Sequence, residues 1–227
     1  MTTSELLQAS GTIFCDGAIR GSGAHIYHPS AKRSIIVTAA HVLYDSRAEK
    51  AFIKCWYRAN NARFTALPFA QVSGQINTVD HQDAVQRSEN DLVFVALSRK
   101  LSSPQIHLST TPIVFSKGPK ATSLNLVGYH AATERMQIAT HCKTLVTPYF
   151  YNQKLVLHNC PTGPGASGGP LIDLHTQTLV AVHGGTLLIE HRAGGKTQPW
   201  TELQIHQGRA IDRQVHTQLD DFIAQLP

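Results

Sequence analysis

The segment Gly163-Pro164-Gly165-Ala166-Ser167-Gly168-Gly169-Pro170 constrains this chain more than any other. Glycine reaches backbone conformations closed to other residues, so a loop this rich in it turns tightly and leaves a serine hydroxyl and its neighbouring N–H groups uncovered. Pro170 breaks the pattern a helix would need directly after the serine. The runs that follow, Leu171-Ile172-Asp173 and Leu179-Val180-Ala181-Val182-His183, read as two strands around a polar turn. Ser167 is therefore a candidate nucleophile on a loop that enters a β-hairpin, and the N–H groups of Gly165 and Ser167 are candidate donors to an oxyanion.

A serine hydroxyl is a poor nucleophile at neutral pH and needs a base, which in turn needs a group to orient it. Ser34 to Leu43 reads as a buried β-branched strand running into small residues and then His41, followed by a polar stretch from Tyr44 to Lys50. The histidine sits at a strand exit. Further on, a loop-like stretch from Asp83 to Asn90 gives way to Asp91-Leu92-Val93-Phe94-Val95-Ala96-Leu97, an apolar strand with one carboxylate at its mouth. Asp91 can be buried beside an imidazole there. Asp80 and Asp83 compete for the same role but lie in polar sequence with no apolar strand behind them, which reads as solvated surface.

Gly165-Ala166-Ser167-Gly168-Gly169 also satisfies the G-x-S-x-G pattern of a nucleophile elbow. That motif requires a helix straight after the serine and then an acid and a histidine downstream. The strands after Pro170 exclude the first requirement. For the second, only Asp212 and His216 are left, on what reads as a C-terminal helix, so the elbow reading is set aside.

The rest of the chain is consistent with an all-β domain. Short strands and turns fill the first 210 residues, without repeats or low-complexity tracts. At the end, Ile211, Val215, Leu219, Phe222, Ile223 and Leu226 recur at helical spacing between polar residues, which predicts an amphipathic helix. The 227 residues carry 42% hydrophobic side chains, enough for a substantial core. No apolar run approaches a membrane span, and Met1 to Leu7 lacks the basic and apolar regions of a secretory leader. The chain is thus expected either in the cytosol or, with a leader removed, in a secreted or periplasmic location. The net charge of +5 is dispersed, with no basic run longer than Lys32-Arg33 and Arg99-Lys100, so no nucleic-acid partner is expected.

Four cysteines allow three pairings. Cys142 closes one strand-like segment and Cys160 the next, and neighbouring antiparallel strands bring such positions within disulfide range, which leaves Cys15 with Cys55. A zinc ion shared by His141, Cys142, His158 and Cys160 is the competing reading. Adjacent His141 and Cys142 would point to opposite faces of a strand, so no metal is expected.

In chain order, "VTAAHV", "NDLVFVAL" and "GASGGP", with "GSGAHI" at 21–26 and "LVGYH" at 126–130, resemble the chymotrypsin-like serine peptidases, over roughly residues 10 to 212. "HNCPTGPGASGGPLID" followed by "LVAVHGG" is most similar to the bacterial glutamyl-endopeptidase-like branch. The resemblance implies two six-stranded antiparallel β-barrels with the site in the cleft between them. The first, residues 1–110, would carry His41 and Asp91. The second, residues 111–227, would carry Ser167 and the C-terminal helix, packed against it. The boundary is expected near residues 99–120, where Ser102-Ser103-Pro104 and Lys117-Gly118-Pro119-Lys120 interrupt the strand pattern.

The same resemblance implies peptide-bond hydrolysis through His41, Asp91 and Ser167, with no cofactor, a polypeptide substrate and a monomeric enzyme. An extended substrate would pair with the strand from His183 through Gly184 and Gly185 to Thr186. Thr162 and His183 match the threonine and histidine with which glutamyl endopeptidases hold an acidic P1 side chain, although Pro161 replaces the aspartate common in that branch. Ala166 stands where trypsins carry the aspartate that pairs with a newly cut N-terminus, and the N-terminal region has no Arg/Lys-Ile-Val activation site. Any proenzyme control is expected to use another route. A catalytically silent peptide-binding module on the same fold is the alternative.

Overall fold

The computed structural model describes residues 1–45, 49–60, 65–74, 84–111, 121–145, 152–189 and 203–227. The first half forms a closed barrel, in spatial order β1 (Ser10–Cys15), β2 (Ala18–Ile26), β3 (Ile35–Thr38), β8 (Val93–Leu97), β7 (Leu67–Val72) and β6 (Cys55–Ala59). A small ribbon of β4 (Tyr44–Asp45) and β5 (Lys50–Ala51) lies outside it. β3 and β8 are buried along their whole length, which is why "IIVT" and "VFVAL" are continuous apolar runs instead of alternating ones.

The second half forms a six-stranded sheet in the order β10 (Arg135–Lys143), β9 (Ser123–His130), β12 (Pro170–Asp173), β13 (Leu179–Ile189), β14 (Leu203–Ala210) and β11 (Leu155–His158). This sheet is a partial barrel. Its edges meet at one bridge, Thr144 to His158, and the same register sets Cys142 opposite Cys160. The expected Cys142–Cys160 disulfide is formed there, with Cα atoms 4.7 Å apart. Cys15 and Cys55 are direct partners across β1 and β6 and form the other expected bridge. With both thiols of the zinc reading bonded to each other, Cys142 and Cys160 cannot serve as thiolate ligands, and no cluster of metal-ligating side chains occurs among the described residues.

Between the halves the chain runs as a strap, Ile106 bridging to Ile26 in the first barrel and Leu108 to Leu179 in the second sheet. Ile106 is fully buried, so this strap lies inside the packing that joins the two halves. The segment Lys117 to Lys120 lies outside the described residues, as do Asp80 and Asp83.

Two short helices add to the expected strand-only pattern. α1 (Thr3–Ala9) starts at a capping box in which Thr2 and Glu5 satisfy each other's backbone N–H groups, and it buries Leu6 and Ala9. α2 (Ala84–Glu89) occupies most of the stretch read from sequence as a loop. It is stabilised by tertiary contacts that sequence pattern does not display: Val85 packs against the second-sheet cluster of Leu155, Leu157, Leu187 and Ile205, and Glu89 bonds to Lys154 and Asn152. This helix ties the approach to Asp91 onto the opposite half of the molecule.

α3 (Arg213–Ala224) is the C-terminal amphipathic helix, capped by Asp212 accepting from the Val215 N–H. Val215, Leu219, Phe222 and Ile223 join a core cluster drawn from both halves, which holds Val95 and Leu97 of the first barrel and Leu179 and Val182 of the second sheet, and Asp220 bonds to His28 beyond β2 at 2.9 Å. Asp212 is fixed by buried Arg209 at 2.8 Å, which sets the direction in which the helix leaves β14.

Candidate active site

His41 follows β3 on a single turn of 3-10 helix, Ala40–Leu43, whose Ala40, Val42 and Leu43 side chains are buried. Those anchors hold the imidazole at the barrel rim, where its side chain keeps 39% exposure. Asp91, 6% exposed, precedes β8, and β8 pairs with β3 in the register Thr38 to Val93. The pairing brings the two residues together. Asp91 Oδ2 lies 2.7 Å from His41 Nδ1, and its Oδ1 accepts the His41 backbone N–H at 2.9 Å. Burial pushes the His41 imidazole down, but the Asp91 charge and hydrogen bond outweigh it, so the ring titrates above its ordinary value. With Nδ1 facing the carboxylate, Nε2 is the nitrogen left to act as base.

Ser167 reaches the same rim from the second sheet. Its carbonyl accepts the Ser22 N–H at 2.7 Å, and Gly168 N–H donates to the His183 carbonyl at 2.7 Å. Gly168 has φ +83° and lies so close to Ser22 O and Thr38 Oγ1 that a side chain there would overlap both. Only glycine fits this seat, and the seat places the serine loop directly against the strand end that leads to His41.

The loop's peptide planes are held one by one. Pro164 C=O accepts from the Ala131 N–H at 3.0 Å and Ala166 C=O from the Gly169 N–H at 2.9 Å. In a trans peptide the carbonyl and the following N–H point in opposite directions, so these bonds turn the N–H groups of Gly165 and Ser167 to the other side of the loop. Gly165 has φ +98°, a conformation that a side-chain-bearing residue adopts only under strain.

The strand expected to receive substrate is the stretch of β13 beyond its partner. β12 begins at Pro170, opposite Val182, and among the described residues no strand covers the same edge at Gly184 to Thr186. A bulge at Gly184 separates the His183 and Gly185 pairings with β14. Gly184 packs close to Asp91, where an added Cβ would come within 3.0 Å of Oδ2.

Sequence reading missed a cluster of three histidines. The Nδ1 of His183, a residue 2% exposed, lies 3.1 Å from His158 Nε2, and His206 lies within 6.0 Å of both rings. The direction of this bond is fixed. His158 Nδ1 accepts the Cys160 N–H at 3.2 Å, so its proton is on Nε2, which donates to His183 Nδ1 and leaves the His183 proton on Nε2. Burial, then the neighbouring imidazoles, push His183 down to about 4 and His158 well below its ordinary value, so both rings are neutral at pH 7. The β11–β14 register pairs His158 with His206, and that long-range pairing is the signal a single sequence lacks. Thr162 lines a separate cavity of about 240 Å³ with His130, Gly163 and Ala166.

No match to a curated protein sequence was found. Among solved structures, the chain is similar to a Glu endopeptidase in complex with MPD, at 15% identity and TM-score 0.67, covering 96% of this chain and 92% of that one. It is also similar to the protease Anisep from Arthrobacter nicotinovorans, at 15% identity and TM-score 0.66, with 96% and 97% covered. A thermostable serine protease from an extremophilic microorganism matches at 12% identity and TM-score 0.66, with 97% and 99% covered. At these identities the likeness is one of fold. The sequence model of the trypsin-like peptidase domain matches residues 21–182, most of the chain and all three segments that carry His41, Asp91 and Ser167. The chain belongs to the trypsin-like peptidase family.

Proposed function

We propose that the protein is a serine endopeptidase in which Ser167 is the nucleophile, His41 the general base and Asp91 the group that orients and charges that base. The observation that supports this most is the doubly bonded His41–Asp91 pair, set against a glycine-rich serine loop. Ser167 Oγ attacks the scissile carbonyl as its proton passes to His41 Nε2. The N–H groups of Gly165 and Ser167 stabilise the oxyanion. The imidazolium then protonates the leaving amine, and water repeats the sequence on the acyl-enzyme. The two disulfides are consistent with secretion or a periplasmic location. Among the described residues no helix is long and apolar enough to cross a membrane.

A finer reading concerns P1, where acidic side chains are favoured. Its support is the imidazole chain from His158 to His183, which leaves His183 as a neutral donor through Nε2 and able to take up a proton when a carboxylate arrives.

A fluorophosphonate probe tests the central reading. Rapid covalent labelling of the wild type, lost in Ser167→Ala and in His41→Ala, is expected. A folded wild-type protein that remains unlabelled would instead favour a silent peptide-binding module.

A further inference from the structure

Ser22 is fully buried in β2 of the first barrel, yet most of its polar atoms are spent on the serine loop of the second half. Its hydroxyl donates to the Gly165 carbonyl at 2.7 Å and accepts the Tyr129 N–H at 2.8 Å. Its own N–H donates to the Ser167 carbonyl at 2.7 Å. Thr38 Oγ1 in turn donates to the Ser22 carbonyl at 2.7 Å, so the residue is itself held from the strand that leads to His41. One residue therefore grips the Gly165–Ala166 and Ser167–Gly168 peptide planes, with the Ala166–Ser167 plane between them. The Ala166 side chain adds no polar contact of its own, being a buried methyl so close to Gly128 that a Cβ there would meet it at 3.1 Å.

We propose that Ser22 is the positioning residue that presets the oxyanion loop, its hydroxyl fixing the Gly165–Ala166 peptide, the plane that joins the two planes carrying the Gly165 and Ser167 N–H groups, so that those groups converge before substrate arrives. The inference rests on the peptidase reading above. A hydroxyl suits the position because it can donate to one backbone group and accept from another at the same time, and its single proton is committed to the Gly165 carbonyl by the Tyr129 N–H on its other side. Without that bond the Gly165–Ala166 peptide can rotate about the glycine, and the planes on either side of it, which carry the Gly165 and Ser167 N–H groups, lose the link that keeps both donors aimed at one point. Donors already aimed at the developing charge require no reorganisation during the reaction, so the loss falls on the transition state and not on substrate binding.

The test compares wild type, Ser22→Ala and Ser22→Cys, all of which keep the backbone bond to Ser167; cysteine keeps the side chain's shape but donates weakly. Both variants are expected to lose about 10- to 100-fold in kcat with KM within about twofold, the scale of a small misplacement at a reacting centre. A peptide aldehyde, which forms an oxyanion-like adduct with Ser167, should weaken in the same proportion, while the matching peptide alcohol binds as before. An active wild type with unchanged kcat and aldehyde affinity in a folded Ser22 variant overturns the assignment. So does a loss carried entirely by KM. If Ser22→Ala fails to fold, Ser22→Cys decides, and failure of both to fold marks the hydroxyl as a structural anchor instead. A wild type that neither cleaves peptides nor reacts with fluorophosphonate sinks the peptidase reading itself, an outcome separate from all of these.

Discussion

Asp91 grips His41 at two points, with Oδ2 on the ring Nδ1 at 2.7 Å and Oδ1 on the backbone N–H of the same residue at 2.9 Å. A carboxylate that accepts from both the main chain and the side chain of one residue fixes the turn and the ring together. The bond to the ring also dictates the tautomer, keeping the proton on Nδ1 and the lone pair on Nε2.

Asp91→Asn separates these roles. The amide keeps the size of the carboxylate but brings a donor into a site that needs only acceptors, so the ring is pushed to the tautomer with its proton on Nε2. The expected loss in kcat is about four orders of magnitude with the fold retained, the size of the effect when a triad aspartate is replaced in this way. Steady-state kinetics and near-UV circular dichroism check this together. Activity within tenfold of wild type would remove Asp91 from the proposed mechanism.

The His41 shift predicts where activity begins. A base must be neutral to accept the serine proton, and Asp91 holds the His41 imidazolium more firmly than water does. The acid limb of kcat/KM should therefore lie above the ordinary imidazole value of about 6.5, with activity rising as pH increases through it. In Asp91→Asn the limb should move down. A profile with maximal activity at about pH 5 would contradict His41 as the base.

Stability should follow the opposite side of the scale. His25 and His183 titrate at about 4 in the folded protein and His158 well below its ordinary value, all mainly through burial. The unfolded chain takes up these protons near pH 6.5, before the folded chain does, so their contribution is complete above that pH and is lost as pH falls towards 4. His41 has the reverse sign: its raised value adds stability below about 6.5 that disappears as pH rises through the folded value. His206, which burial also lowers, has the same sign as the first three, so four histidines oppose one. The unfolding free energy from urea titrations should fall progressively below about pH 6.5, by up to about 1.4 kcal/mol per pH unit for each buried ring, and the urea midpoint should fall with it. A midpoint that stays level down to about pH 4.5 would contradict the neutral burial of these histidines.

How much of this was visible in the sequence depended on whether the determinant was local. The strand ends at His41 and Asp91, the loop at Ser167 and the helix after Asp212 all announce themselves within a few residues, through apolar runs, glycine clusters and periodicity. Both disulfides were also readable, because each joins residues at matching ends of strands. α1 carried a local signal in its Thr2–Glu5 capping box that strand-dominated reading passed over. α2 carried none of comparable strength, since Val85 and Glu89 find their partners across the molecule. The seat of α3 against both halves and the meeting of His158, His183 and His206 depend on contacts between distant segments, and those leave no trace in a single sequence.

The disulfides should contribute unequally. Cys15–Cys55 closes a sequence separation of 40 and Cys142–Cys160 one of 18. By loop-closure entropy, removing the first by a double Cys→Ala replacement should cost about 4 kcal/mol and the second about 3 kcal/mol. Denaturant unfolding of the two variants, with free-thiol counts on the untreated wild type, checks both the order and the bonding. Free thiols in a folded, unreduced sample would contradict the bridges outright.

Substrate choice is where the histidine cluster makes the sharpest demand. His183 is neutral and buried, with its Nδ1 engaged by His158, so the donor it has to offer is Nε2–H. A P1 carboxylate that accepts from it also raises its affinity for a second proton, and pairing then offsets the cost of burying the anion. Profiling with a peptide library varied only at P1 should show Glu cleaved in preference to Gln, Leu and Arg, because only the carboxylate gains from that proton. The Glu-to-Gln ratio should fall at least tenfold in His183→Ala, about the value of one charge-assisted hydrogen bond, while cleavage of neutral P1 residues changes far less. His158→Phe, which leaves His183 in place but removes the donor to its Nδ1, should lower the same ratio by freeing the ring to carry its proton on the other nitrogen. Preference for Leu or Arg in the wild type, or an unchanged P1 profile in His183→Ala, would refute the acidic pocket and leave the assignment of Ser167, His41 and Asp91 to be judged on its own tests.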